Sequence, residues 1–424
     1  MSFLNDLLDT VERSRSDPVK LAGRETPNLE FSLGEYGSRY AAAVALMGEL
    51  ELDALVLAQP TTIRYMAGLQ TWLWILPPLL PAAAIVPRDP AQATLIATVV
   101  EKGGAEATSW MEASLYGLDD DPVRAIIDAL AKRGLERGRL GFELGLGQRP
   151  NLSPQDHQRL IAGLPDAKIV DIALPIWAMR ALKTDEEVSR LREAVRLSEI
   201  GYQAALDALV PGVTEAELTR IAAQAMLAAG ARPSVVPMTL IFLAGAERYR
   251  QIVQPASARA IRAGEQLFLD GGCAVDGYRC DFIRSGVIGR LSDSAERYYD
   301  IAVQALDAAV RALGPGRPLG ESWTAAQDCF DAAGVGGFTL IPGQIGHSVG
   351  LDHWELPLIG KPGSEQGDVI ARPGMVLCVE PTIVGMGGDD AWASGLFVAE
   401  DQVLITASGV DVMTTQIPRT LVRR

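Results

Sequence analysis

Five side chains of metal-binding type stand in distinct local frames along the C-terminal half of the sequence: Asp270 in QLFLDGG, Asp281 in GYRCDFIR, His347 in GHSVGL, Glu380 in GMVLCVEP and Glu400 in FVAEDQVLIT. Four carboxylates and one imidazole are what two neighbouring divalent cations require, because bridging carboxylates neutralise charge that a single nitrogen donor leaves uncompensated. Such a set accepts manganese, iron, cobalt or zinc. Two cations that share a water lower its pKa toward neutrality, and a carboxylate beside it can take the proton.

Strands must hold these groups. QLFLD and YRCDFIR flank the turn signal Asp276-Gly277. A two-residue hairpin turn there sets Asp281 opposite Gly272, two residues from Asp270. Positions two apart share a face, so the carboxylates become diagonal neighbours about 7–8 Å apart at the backbone. Glycines on both sides of His347 leave the backbone open around the imidazole, and with only three histidines in the chain it is the natural nitrogen ligand. Arg372-Pro373-Gly374 turns into the strand MVLCVEP with Glu380, and LFVAEDQVLI reads as one strand presenting Glu400. Glutamate is uncommon inside such apolar strands unless it is paired or coordinated.

In this order and these frames the five residues resemble the creatinase/prolidase family of pita-bread metalloenzymes, strongly over the C-terminal half and weakly over the N-terminal half. The resemblance implies an α/β N-terminal domain of creatinase/prolidase type (residues 1–175) and an α+β pita-bread catalytic domain (residues 176–424). It implies Asp270 as a ligand of one cation, Asp281 and Glu400 as bridging ligands, His347 and Glu380 as completing the other, and Glu380 as the acceptor of the attacking water's proton. Hydrolysis of an amide bond in a small-molecule or dipeptide substrate follows, as in Xaa-Pro dipeptidase or aminopeptidase P, with two divalent metal ions (manganese, iron, cobalt or zinc), in a homodimer.

Several neighbouring positions depart from the family pattern. Val253 stands near the place of an upstream histidine, and Trp354 at the place of a second one, with His353 one step earlier and Glu355 keeping the family's acidic place. Val398 replaces a common arginine and Ile283 a usual threonine. The expectation is a catalytic role for His353 and Glu355, with Trp354 and Trp72 against the substrate, Trp72 from a partner's N-terminal domain. Such neighbours orient ligands and place transition-state charge, so their exchange alters the reaction or the substrate. The alternative expectation is a non-peptidase family member acting on a small zwitterionic compound. It would resemble either creatinase or the dimethylsulfoniopropionate lyase, to whose tryptophan-bearing loop WELPL is similar.

At 424 residues the chain exceeds one compact core. After a polar N-terminal arm, helical spacing over 33–47 and in DPVRAIIDALAKRGL alternates with strand-like runs in LDALVLAQP, AAAIVPRDPAQATLIATVVE and GRLGFEL. That alternation predicts a parallel or mixed sheet with helices on its faces. Thr184 with Glu187 forms a capping-box pattern that opens a long helix through Leu191, Ala194, Leu197, Ile200 and Ala204, and Thr214 with Glu217 repeats it. YYDIAVQALDAAVRAL and SWTAAQDCFDAAG supply two further helices.

A net charge of −15 argues against nucleic acid or an anionic membrane as partner, since both require clustered Lys and Arg. Four cysteines without a CxxC pair point to a reduced, cytoplasmic interior. The N-terminal stretch shows no continuous apolar run of signal type. The most apolar tract, Trp72 to Val86, is too short and too interrupted by Pro77, Pro78 and Pro81 to span a bilayer.

Overall fold

The computed structural model describes residues 3–21, 26–76, 79–232, 238–249, 251–336, 339–385 and 395–424. They fall into two compact units, 3–180 and 181–424. The division expected at 175/176 lies inside the helix Ala173–Ala181, at whose end the first unit closes.

In the first unit, β1 (Ala54–Leu57), β2 (Ala83–Pro87), β3 (Thr94–Thr98), β4 (Ala113–Tyr116), β5 (Arg139–Phe142) and β6 (Lys168–Asp171) form one sheet in the order β4-β3-β2-β1-β5-β6. β1 is antiparallel to β2 and β2 to β3, while the remaining pairs are parallel. β1 and β2 are buried at every residue, which is why they read as unbroken apolar runs rather than alternating ones. Val56, Ile85, Ile96, Leu140 and Phe142 pack with Ile126 and Leu130 of helix Pro122–Ala131 and Leu160 of helix Pro154–Ala162. The expected polar N-terminal arm is instead a helix, Phe3–Ser14, burying Leu4, Leu7, Leu8 and Val11. Their three- and four-residue spacing places them on one face, which the surrounding charges obscure.

The second unit contains two main sheets. β7 (Thr239–Ala244), β8 (Gln266–Gly272), β9 (Ala274–Val275), β10 (Tyr278–Arg279) and β11 (Arg284–Val287) lead to β12 (Gln344–Ser348), β13 (Glu355–Gly360), β14 (Val376–Val379), β15 (Ile383–Val384), β16 (Leu396–Phe397), β17 (Asp401–Thr406), β18 (Gly409–Val412) and β19 (Val422–Arg423). One sheet runs β19-β11-β8-β7 and the other β13-β12-β14-β17-β18. Helices Asp293–Ala312 and Gly320–Ala332 lie in sequence between β11 and β12, giving the α+β organisation expected.

Helix Asp185–Asp207 opens this unit through a complete capping box: Thr184 Oγ1 accepts the Glu187 amide at 3.3 Å, and Glu187 Oε2 accepts the Thr184 amide at 2.9 Å. Its buried stripe passes through Leu191, Ala194 and Leu197 as expected, but then shifts to Gly201, Tyr202 and Ala205, leaving Ile200 37% exposed. A Cβ on Gly201 would collide with the Met226 side chain of helix Glu215–Ala228, so the missing side chain permits the close helix approach. The Tyr202 hydroxyl lies 3.0 Å from Gly271 O and 3.1 Å from Phe282 O, tying together the backbone next to Asp270 and Asp281. Loss of the cap in Thr184→Ala is expected to lower stability by about 1 kcal/mol, read as a lower denaturant midpoint with metal content unchanged. An unaltered midpoint would show that the box carries no net stability.

Candidate metal centre

Asp276 and Gly277 have φ of 46° and 82°, the two positive values that a type I′ hairpin turn demands. Val275 pairs with Tyr278 and Ala274 with Arg279, and the same register continues where Leu269 meets Arg284, which sets Asp281 across from Gly272. YRCDFIR is nevertheless not one strand: β10 stops at Arg279, β11 starts at Arg284, and Asp281 sits in the break. Glu380 directly follows β14, and Glu400 falls between β16 and β17, so the continuous strand expected through LFVAEDQVLI is interrupted at its glutamate. At each point the backbone changes partner. The Asp281 amide donates to Gln402 Oε1 at 3.1 Å, the Glu400 amide to Ile283 O at 3.2 Å and the Glu380 amide to Ile345 O at 2.8 Å. These exchanges let side chains from both sheets turn toward one place.

His347 Nε2 lies 3.5 Å from Asp281 Oδ2 and 3.6 Å from Glu380 Oε1, with the ring fully buried. Its Nδ1 is 2.9 Å from Ser348 O. A carbonyl only accepts, so Nδ1 carries the proton and the Nε2 lone pair faces the carboxylates, the tautomer a metal-ligating histidine uses. Asp281 Oδ1 and Glu400 Oε1 are buried without a hydrogen-bond partner. Orphaned carboxylate oxygens are costly in a protein interior, and a cation resolves that cost. The donor set therefore fits divalent metal.

Charge interactions agree. Burial, then the Asp281 charge, raises Asp270 well above the ordinary carboxylate range, and burial followed by neighbouring carboxylates does the same to Glu380 and Glu400. Asp281 also feels burial, but His353 and His347 outweigh it and hold its pKa low. Burial lowers His347, which keeps it neutral and able to coordinate. Without cations, protons must replace part of the positive charge that this cluster calls for.

His353 Nε2 sits 2.9 Å from Asp281 Oδ2, while its buried Nδ1 has no partner. The Trp354 indole stacks on the His347 ring, centroids 4.6 Å apart, and remains 48% exposed. The Glu355 carboxylate pairs with Lys183 Nζ at 3.1 Å and accepts the Asp352 amide at 3.1 Å. Trp72 belongs to the first unit, in a short 3₁₀ turn, and is 62% exposed. Val253 lies in an exposed turn. Ile283 and Val398, the two departures beside ligands, pack in one apolar cluster with Tyr249, Phe268, Val384 and Leu396.

Four further residues were not singled out from the sequence. Cys378 lies beside Asp281, His347 and Glu400, and Gln402 holds the Asp281 amide. Each stands two positions from an expected glutamate ligand on the same strand path, and strand parity was the available signal. Lys183 donates to Ser348 Oγ at 2.8 Å as well as to Glu355, linking β12 to β13 beside His347. Arg284, fully buried, donates to the carbonyls of Ile283, Glu400, Thr414 and Ile417 and to Asp401 Oδ1. No sequence pattern flags these last two, because their partners are distant in the chain.

Comparisons with known proteins give the family and the fold. A relative described as an uncharacterized hydrolase/peptidase of Sinorhizobium fredii is 27% identical over 337 residues, covering 77% of this chain and 83% of its own length. An uncharacterized peptidase of Bacillus subtilis is 25% identical over 369 residues, 87% of this chain and 95% of its own. Among solved structures, an Xaa-Pro dipeptidase from Bacillus anthracis superposes with a TM-score of 0.77 at 22% identity, covering 92% of this chain and all of that one. A prolidase from Pyrococcus furiosus gives 0.72 at 25% identity, covering 88% of this chain and all of that one. The family model for the creatinase/prolidase N-terminal domain matches residues 39–182. With the model for metallopeptidase family M24 matching residues 189–407, just over half of the sequence and every residue of the ligand cluster, this chain is a metallohydrolase belonging to family M24, with a creatinase/prolidase N-terminal domain ahead of a pita-bread catalytic domain.

Proposed function

We propose that the chain hydrolyses an amide bond in a small substrate, with two divalent cations held by Asp270, Asp281, His347, Glu380 and Glu400. The observation that carries this is the gathering, within 4.8 Å of one another, of a His347 ring nitrogen and carboxylate oxygens of Asp281 and Glu400, two residues that each also bury an oxygen without a hydrogen-bond partner. In the assignment the family resemblance implies, Asp270 would serve one cation, Asp281 and Glu400 both, and His347 and Glu380 the other. Cations there supply Lewis acidity and an acidified water. Glu380, like Asp270 only partly buried where Asp281 and Glu400 are fully so, would take the proton of the attacking water. His353 Nδ1 is free to meet the polar group of the scissile amide while Nε2 stays on Asp281. Glu355 acts as a positioning residue: its ion pair with Lys183 fixes the start of β13 next to His353 and Trp354.

Manganese, iron, cobalt and zinc all suit the oxygen-rich set. A homodimer and a cytoplasmic location belong to the same proposal; the first rests on the family resemblance and the second on four unpaired cysteines. The acidic charge disfavours nucleic acid, and among the described residues no helix is long and apolar enough to cross a membrane. The N-terminal domain and the catalytic domain are proposed to meet between residues 175 and 181.

The exposed Trp354 face favours a substrate with an apolar or cationic group over a standard dipeptide, in keeping with the alternative of a non-peptidase member acting on a small zwitterion. Xaa-Pro dipeptides are therefore expected to turn over poorly with any of the four metals. His353→Ala should lower turnover of the true substrate about a hundred- to a thousandfold, with metal content unchanged. Efficient dipeptide turnover that is indifferent to His353→Ala would instead mark an ordinary, divergent peptidase.

A further inference from the structure

We infer that Cys378 is a sulfur donor of the metal centre, which therefore selects cations with affinity for sulfur, such as zinc or cobalt, over manganese; this rests on the metal-centre proposal above. Cys378 Sγ, carboxylate oxygens of Asp281 and Glu400, and a ring nitrogen of His347 all lie within 4.8 Å of one another. The sheet dictates this arrangement. Cys378 pairs directly with His347 on β12 and with Gln402 on β17, and directly opposed residues project to one face. Glu380, two positions on, shares the parity.

A fully buried cysteine ordinarily packs as a small hydrophobe. This one is fully buried yet faces two carboxylates and an imidazole. The unpartnered Asp281 Oδ1 and Glu400 Oε1 are an independent sign that a ligand belongs among these groups. Sγ also lies 3.5 Å from the Asp281 carbonyl oxygen, a weak contact that coordination can replace. Coordination would require the thiol to release its proton to solvent, so that Cys378 would hold the cation as a thiolate. Thiolate donors favour zinc, whereas manganese prefers oxygen.

The test uses the full chain, stripped of metal, reloaded with cobalt(II) and followed by absorption spectroscopy. The expected result is visible cobalt bands together with an intense near-ultraviolet sulfur-to-cobalt charge-transfer band. Cys378→Ser should remove that band while cobalt stoichiometry holds, and should reduce the preference for zinc over manganese about tenfold or more. Bound cobalt without the band in the unmodified chain overturns the inference and leaves the carboxylate–imidazole centre standing, and so does a band that persists in Cys378→Ser. Failure of cobalt, zinc and manganese all to bind overturns the inference and the metal-centre proposal together. The unmodified chain decides the matter even where the variant folds poorly.

Discussion

Replacing Asp281 or His347 by alanine is expected to abolish metal retention and turnover together. Asp281 is the point through which the cluster is joined: His347 and His353 both face its Oδ2, while its own amide is held by Gln402. The metal content should fall from about two ions per chain, and turnover should fall by more than the about hundred- to thousandfold that loss of a single charge-stabilising group costs, because the cations leave with the ligand. Either variant keeping both properties would place the chemistry elsewhere. Removing metal from the unaltered chain provides a companion measurement. Asp270, Glu380 and Glu400 have pKa values raised on folding, so their contribution is fully present below the unfolded carboxylate pKa and is lost as pH rises through the folded one. Asp281 is shifted down and works in the opposite sense. With three groups against one, the metal-free protein should lose thermal stability as pH rises above the ordinary carboxylate range, and divalent metal should reverse the trend. A metal-free protein that gains stability over that rise contradicts the assignment of a mutually repelling cluster.

Arg284→Ala should be the most destabilising single change away from the ligands. Each N–H of the guanidinium has an acceptor, and both Arg284 and Asp401 are wholly inaccessible to solvent. Removing one partner of a buried pair leaves the other charge uncompensated and costs about 3–5 kcal/mol. Lysine offers a single ammonium in place of a planar fork, so Arg284→Lys should recover only part of the loss. Because Arg284 also holds the Glu400 carbonyl, metal affinity should fall along with the denaturant midpoint. A midpoint within about 1 kcal/mol of the parent, a typical value for an unexceptional substitution, would mean that Asp401 finds adequate compensation from Arg419 and Thr414.

The sequence by itself proposed the five-residue donor set and determined the hairpin register that relates Asp281 to Gly272, the two helix-opening capping boxes and the mixed sheet of the first unit. These are short-range or periodic properties: a Asp-Gly turn fixes its own register, a cap involves residues three apart, and burial imposes a period on each element. Only the tertiary structure decided that three of the carboxylates lie at interruptions of strands, since an interruption depends on which neighbour accepts each amide. It also decided that Glu355 belongs to Lys183, that Arg284 binds the backbone on either side of Glu400, that the N-terminal segment is a packed helix, and that Cys378 faces the ligands. Those outcomes join residues far apart in the chain, and nothing in local propensity or spacing specifies which distant group will satisfy a buried charge. Packing chooses the partner, because leaving a buried donor or acceptor unmatched costs more than any local preference can return.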